Sequence, residues 1–160
     1  MEAYFFQNDL FHLEALLKQA DECSSIDRLE NARILHNKAR TFTLKGQIGS
    51  GVEYTNKALQ VFAEEYSTWD TAWTLIALGT TLAQKGQLEE GLDALLRAIS
   101  LFREFGDSRW LIEASNYAGM FIAMFSGLKN EGLKFIEDAI RINNESKMLI
   151  SWCLIYREHA

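Results

Sequence analysis

Three glycines, Gly46, Gly86 and Gly127, recur at intervals of 40 and 41 residues. Each is followed five residues later by another, at Gly51, Gly91 and Gly132. Seven residues beyond those stand Ala58, Ala98 and Ala139. A fixed period of this length means an array of like supersecondary units. One unit alone cannot bury its apolar face, so neighbours stack and share a continuous core.

Within the period the apolar residues recur at helical spacing. The stretch Thr74 to Phe102 shows it best, with Leu75, Leu78 and Leu82 before the turn at Lys85-Gly86-Gln87 and Leu88, Leu92, Leu95 and Ile99 after it. A basic residue followed by Gly is the usual chemistry of a helix C-terminus. The unit before it carries Leu35, Ala39 and Phe42, then Val52, Ala58 and Phe62. The unit after it carries Ala118 and Ile122, then Leu133, Ile136 and Ala139. Asp27, and Asp107 or Ser108, are the expected N-caps. The 160 residues contain no proline, so nothing interrupts the helices by removing a backbone N–H. Leu78 and Leu95 are expected at the heart of the middle hairpin.

Several function classes are disfavoured. The net charge is −6 with Lys and Arg scattered, whereas nucleic-acid binding calls for a basic patch. No apolar run is long enough to span a membrane, and the first residues do not read as a secretory signal. Cys23 and Cys153 form no CxxC pair and read as reduced thiols, which points to the cytoplasm. His12, His36 and His159 share no metal-ligand spacing, so no metal or other cofactor is expected. Glu64-Glu65 and Glu89-Glu90 are adjacent on helices and point in different directions, so they do not form a catalytic pair. No phosphate loop, Rossmann fingerprint or nucleophile elbow is present. The chain is not expected to be an enzyme.

The pattern Leu75, Leu78-Gly79, Leu82, Gly86, Gly91, Leu95 and Ala98 resembles the tetratricopeptide repeat. The following unit supplies Ala118-Gly119, Ile122, Gly127, Gly132, Ile136 and Ala139, and the preceding one Leu35, Ala39, Phe42, Gly46, Gly51 and Ala58. The period is longer than the usual 34 residues or so, and resembles the long repeats of maltose-regulator-like sensor domains and spindle-orientation adaptors. The resemblance implies an all-α, right-handed solenoid of antiparallel helical hairpins. A single array over 1–160 divides into a partial repeat (1–25), three repeats (26–67, 68–107 and 108–145) and a truncated final helix (146–160). Small residues at Gly79 and Gly91, and at Gly119 and Gly132, would let paired helices approach closely. Lys38 and Thr55 stand where apolar residues are usual.

The resemblance also implies a binding surface, the concave face formed by the first helix of each pair. Its positions here are His36, Arg40, Thr43, Trp73, Ile76, Thr80, Gln84, Asn116, Met120, Met124 and Arg157. Trp73 and Ile76 fit the core between repeats equally well, and Arg40 and Arg157 could be solvated charge. The implied function is a non-catalytic protein-interaction scaffold for a peptide or partner domain. The alternative is a ligand- or protein-sensing segment of a larger signal-dependent transcription regulator. Apolar residues at both ends, Phe5, Phe6, Leu149 and Trp152 among them, raise the expectation of end-to-end self-association or of a longer array.

Overall fold

The computed structural model of the chain describes residues 27–125 and 129–146, together with Lys18. The end segments singled out above, with Phe5, Phe6, Leu149, Trp152 and Arg157, lie outside the described residues. The described chain is helical throughout its elements: α1 (Arg28–Leu44), α2 (Ile48–Glu64), α3 (Thr68–Gln84), α4 (Leu88–Phe105), α5 (Ser108–Phe125) and α6 (Lys129–Ser146). They form three antiparallel hairpins, α1–α2, α3–α4 and α5–α6, and each hairpin packs on the next through its second helix. The result is a tetratricopeptide-like solenoid. None of the described helices is long and apolar enough to cross a membrane.

Local chemistry sets the ends. The Asp27 carboxylate accepts from the Glu30 N–H at 2.8 Å and so caps α1. Asp107 accepts from the Trp110 N–H at 3.3 Å at the start of α5. At the hairpin turns the chain must reverse within three residues. Gly46 and Gly86 adopt φ of 75° and 86°, and the next N–H reaches back to Phe42 or Leu82 at 2.9 Å. Between repeats Gly106 plays the same part at φ 69°, but the matching residue one repeat earlier is Tyr66, at φ 55° and 90% exposed.

Close backbone approach holds the middle hairpin together. A Cβ built on Gly79 would lie 2.8 Å from the Gly91 carbonyl oxygen, and one on Gly91 equally close to the Gly79 oxygen. Around that contact Leu75, Leu95, Ala98, Ile99 and Phe102 are buried. Gly119 meets the Gly132 carbonyl in the same way in the third hairpin. The first hairpin is built differently. Ala39 replaces the first glycine, and Thr55, in the place of Leu95, is fully buried with its hydroxyl donating to the Gly51 carbonyl at 2.8 Å.

Leu78 corrects the sequence expectation, for it is only half-buried. It lines an open cavity of about 530 Å³ on the outer side, with Val52, Leu82 and Ala94 on its floor. Leu75, one turn earlier, takes the central position instead. Leu75→Ala and Leu95→Ala should therefore each cost about 2–5 kcal/mol in urea unfolding, and Leu78→Ala clearly less than either. Tyr66→Gly should raise stability by about 1 kcal/mol, because it relieves a left-handed backbone that an L side chain resists. A lower urea midpoint for Tyr66→Gly would show that the exposed ring contributes more than the strain costs.

Candidate functional site

The first helices α1, α3 and α5 lie side by side, and the 40-residue period places their residues in rows. Arg33, Trp73 and Glu113 form one row, His36, Ile76 and Asn116 the next, and Arg40, Thr80 and Met120 the third. His36, Ile76 and Asn116 are buried, at 1%, 6% and 1% exposure. They form a floor. Arg40 and Gln84 are exposed, and Thr43, Trp73, Thr80 and Met120 are half-buried. Thr43 donates to the Ala39 carbonyl at 3.0 Å and meets the Thr81 hydroxyl at 3.1 Å, which ties α1 to α3. The Met124 side chain and all of Arg157 lie outside the described residues.

The joint between α1 and α3 is polar. The Arg33 guanidinium grips Asp70 with two bonds, at 3.0 and 2.8 Å, and Ser67 adds a third at 2.6 Å. Asp70 is 2% exposed. Burial pushes its carboxyl up, but the Arg33 and Ser67 hydrogen bonds outweigh this and hold it below the usual carboxylate range. The His36 ring stacks on Trp73 at 3.8 Å, and its Nδ1 lies 3.0 Å from the Thr74 hydroxyl. Burial and the nearby Arg40 charge lower its pKa to about 3, so the ring is neutral.

The joint between α3 and α5 is aromatic. Trp69, Trp73 and Trp110 lie 6.0–6.2 Å apart, mostly edge to face, and Phe102 stacks on Trp110 at 6.3 Å. The Trp69 indole N–H donates to Asp107 at 3.1 Å, and the Arg109 guanidinium sits over the Trp110 ring. Glu113 faces this cluster; burial raises its carboxyl, against the pull of Arg109, the Tyr117 hydroxyl and Arg40. Arg33, Trp110 and Glu113 were not among the sequence-derived candidates. The period itself would have found two of them, since Arg33 and Glu113 stand 40 residues either side of Trp73.

Among the described residues no three His, Cys, Asp or Glu side chains gather as a metal site. The arrangement offers recognition chemistry: a buried floor, indole and thioether surface, and a cation at one side. Proteins built this way are helical-repeat binding modules. Residues 30–104 match the tetratricopeptide repeat family, and the chain carries a tetratricopeptide-like array. Two solved structures share the fold, a kinesin-light-chain-like protein of Podosopora anserina with nearly identical TPR-like repeats and a variant of it. The first superposes with a TM-score of 0.66 at 15% identity, covering 94% of this chain and 72% of its own. The second does so with a TM-score of 0.66 at 16% identity, covering 94% and 71%. No curated protein matches the chain.

The pKa directions give an acid-stability prediction. Unfolded His36 takes up a proton near pH 6.5, whereas folded His36 resists until about 3. Between those values the unfolded state binds more protons, so stability falls as pH drops, by up to about 1.4 kcal/mol per unit. Asp70 adds a loss of the same sign at lower pH, below its unfolded pKa. Glu113 acts oppositely, because its raised pKa makes protonation favour the folded state. The urea midpoint should therefore drop between pH 6.5 and 4. His36→Phe combined with Thr74→Val should flatten that drop. An unchanged slope in the double variant would assign the acid sensitivity elsewhere.

Proposed function

We propose that the chain is a non-catalytic protein-interaction scaffold that takes a peptide or partner domain against the concave face of α1, α3 and α5. The observation that carries this reading is the layering of that face. A buried floor of His36, Ile76 and Asn116 lies beneath Arg40, Trp73, Thr80, Gln84 and Met120, which keep part of their surface in solvent. Aromatic, Met and Arg side chains are the types enriched at interface hot spots. The helical frame holds them in place before a partner arrives, so little conformational entropy is lost on binding. Met124 and Arg157 extend the same set along the face.

Peptides selected from a display library on the intact chain test this reading. Amide chemical shifts should map the selected peptides to α1, α3 and α5. Arg40→Glu and Met120→Glu should each weaken their Kd at least tenfold, about 1.4 kcal/mol, without lowering the urea midpoint. Shifts confined to α2, α4 and α6 would move the site to the outer face.

A further inference from the structure

Threonines within these helices turn their hydroxyls back onto the carbonyl four residues earlier. Thr41, Thr43, Thr55, Thr71, Thr80 and Thr81 all do so. Thr74 does not. It is fully buried, and its hydroxyl meets His36 Nδ1 at 3.0 Å instead. That contact decides where the imidazole proton sits. If the Thr74 O–H donates to Nδ1, the neutral ring carries its proton on Nε2. One polar hydrogen, Nε2–H, is then left over. If Nδ1–H donated instead, both the hydroxyl hydrogen and the Nε2 lone pair would be stranded. Each stranded buried group carries its own desolvation cost, so the arrangement with one is favoured.

His36 is 1% exposed, and its Nε2 has no hydrogen-bond partner. Arg40 follows one helical turn later, close enough for its charge to act on the ring. Its guanidinium is exposed and makes no hydrogen bond or ion pair with the described residues. The other cations of this face are committed: Arg33 holds Asp70, and Arg109 lies over Trp110. Glu113, the acidic group across the face on α5, is engaged by the Tyr117 hydroxyl and Arg109.

We propose that His36 and Arg40 form a two-donor subsite for a carboxylate of the bound peptide, with Thr74 as the residue that positions the His36 proton. One carboxylate oxygen accepts from Nε2–H and the other from the guanidinium, which matches the planar fork of the group. The Arg40 arm has no bond to break when it moves aside to admit the oxygen. The proposal rests on the concave-face reading above and narrows its occupant to a peptide with an acidic side chain or a free C-terminus.

Three peptide probes test it on the intact chain. One is an acetylated, amidated glutamate pentapeptide, one an acetylated Gly-Ser peptide ending in a free carboxylate, and one the amidated lysine pentapeptide. Long-range proton–nitrogen NMR should show the Nε2–H tautomer of His36 in the free protein. A carboxylate probe should shift that ring proton downfield, and the lysine probe should not. Whichever carboxylate probe binds identifies the source as a side chain or a chain end. Arg40→Gln and Thr74→Val should each weaken its binding at least tenfold, and Thr74→Val should also loosen the tautomer preference. Because His36→Phe with Thr74→Val removes both polar partners together, that variant should stay folded and lose binding. An Nδ1–H tautomer, or binding unaffected by Arg40→Gln, would overturn the subsite. If only the lysine probe shifts α1, α3 and α5, the subsite fails and the concave-face reading stands. If peptides selected from the display library also leave that face unshifted, both fail.

Discussion

The approach of two helix backbones at Gly79 and Gly91 is the constraint on which the middle hairpin depends. No side chain can occupy either position while the carbonyl of the other stands 2.8 Å from the would-be Cβ. A glycine within a helix costs about 1 kcal/mol against alanine. Here that cost is offset by what the approach allows, the full burial of Leu95, Ala98 and Phe102 between α3, α4 and the next hairpin. Gly119 and the Gly132 carbonyl repeat the solution. The first hairpin reaches a similar geometry without a glycine on α1, and admits polar groups in return. There Thr55 and Thr43 spend their hydroxyls on carbonyls of their own helices.

The hairpins are alike, but the joints between them are not. Between α1 and α3 the contacts are an Arg33–Asp70 fork, a His36–Trp73 stack and two hydroxyl contacts. Between α3 and α5 they are three indoles and Phe102. The face shared by α1, α3 and α5 therefore changes character along its length, from hydrogen-bonding to apolar. A partner that spans it meets a donor-rich end and an indole- and thioether-rich end. That asymmetry gives an extended ligand a direction, which a uniform face would not. Trp73 belongs to both joints, because one side of its ring meets His36 and another lies near Trp69 and Trp110.

Much of this was legible in the chain itself. The period named the hairpins, the Lys-Gly turns placed their reversals, and Asp27 and Asp107 marked helix starts. The small residues Gly79, Gly91, Gly119 and Gly132 were read as close-contact points, and the structure puts backbone against backbone there. The candidate face was less legible. His36, Ile76 and Asn116 are polar or mixed in type yet lie in the floor, while Arg33 and Glu113 in the adjoining row went unrecognised. Residue type was the guide, and residue type does not report depth.

What the sequence determined by itself was everything periodic: the helices, their pairing, their turns and the stacking of units into a solenoid. These follow from local backbone preferences and from spacing, and each is written within one repeat. The tertiary structure alone decided what lies between repeats. Leu78 opens onto a cavity because α2 and α4 leave a gap beside it, and Leu75 fills the core in its place. His36 loses its solvent and its charge because Trp73, 37 residues away in the chain, covers its ring, and because Thr74 turns its hydroxyl across the joint. Burial and proton position depend on the side chains of the neighbouring unit, and a period shared by all units carries no record of them.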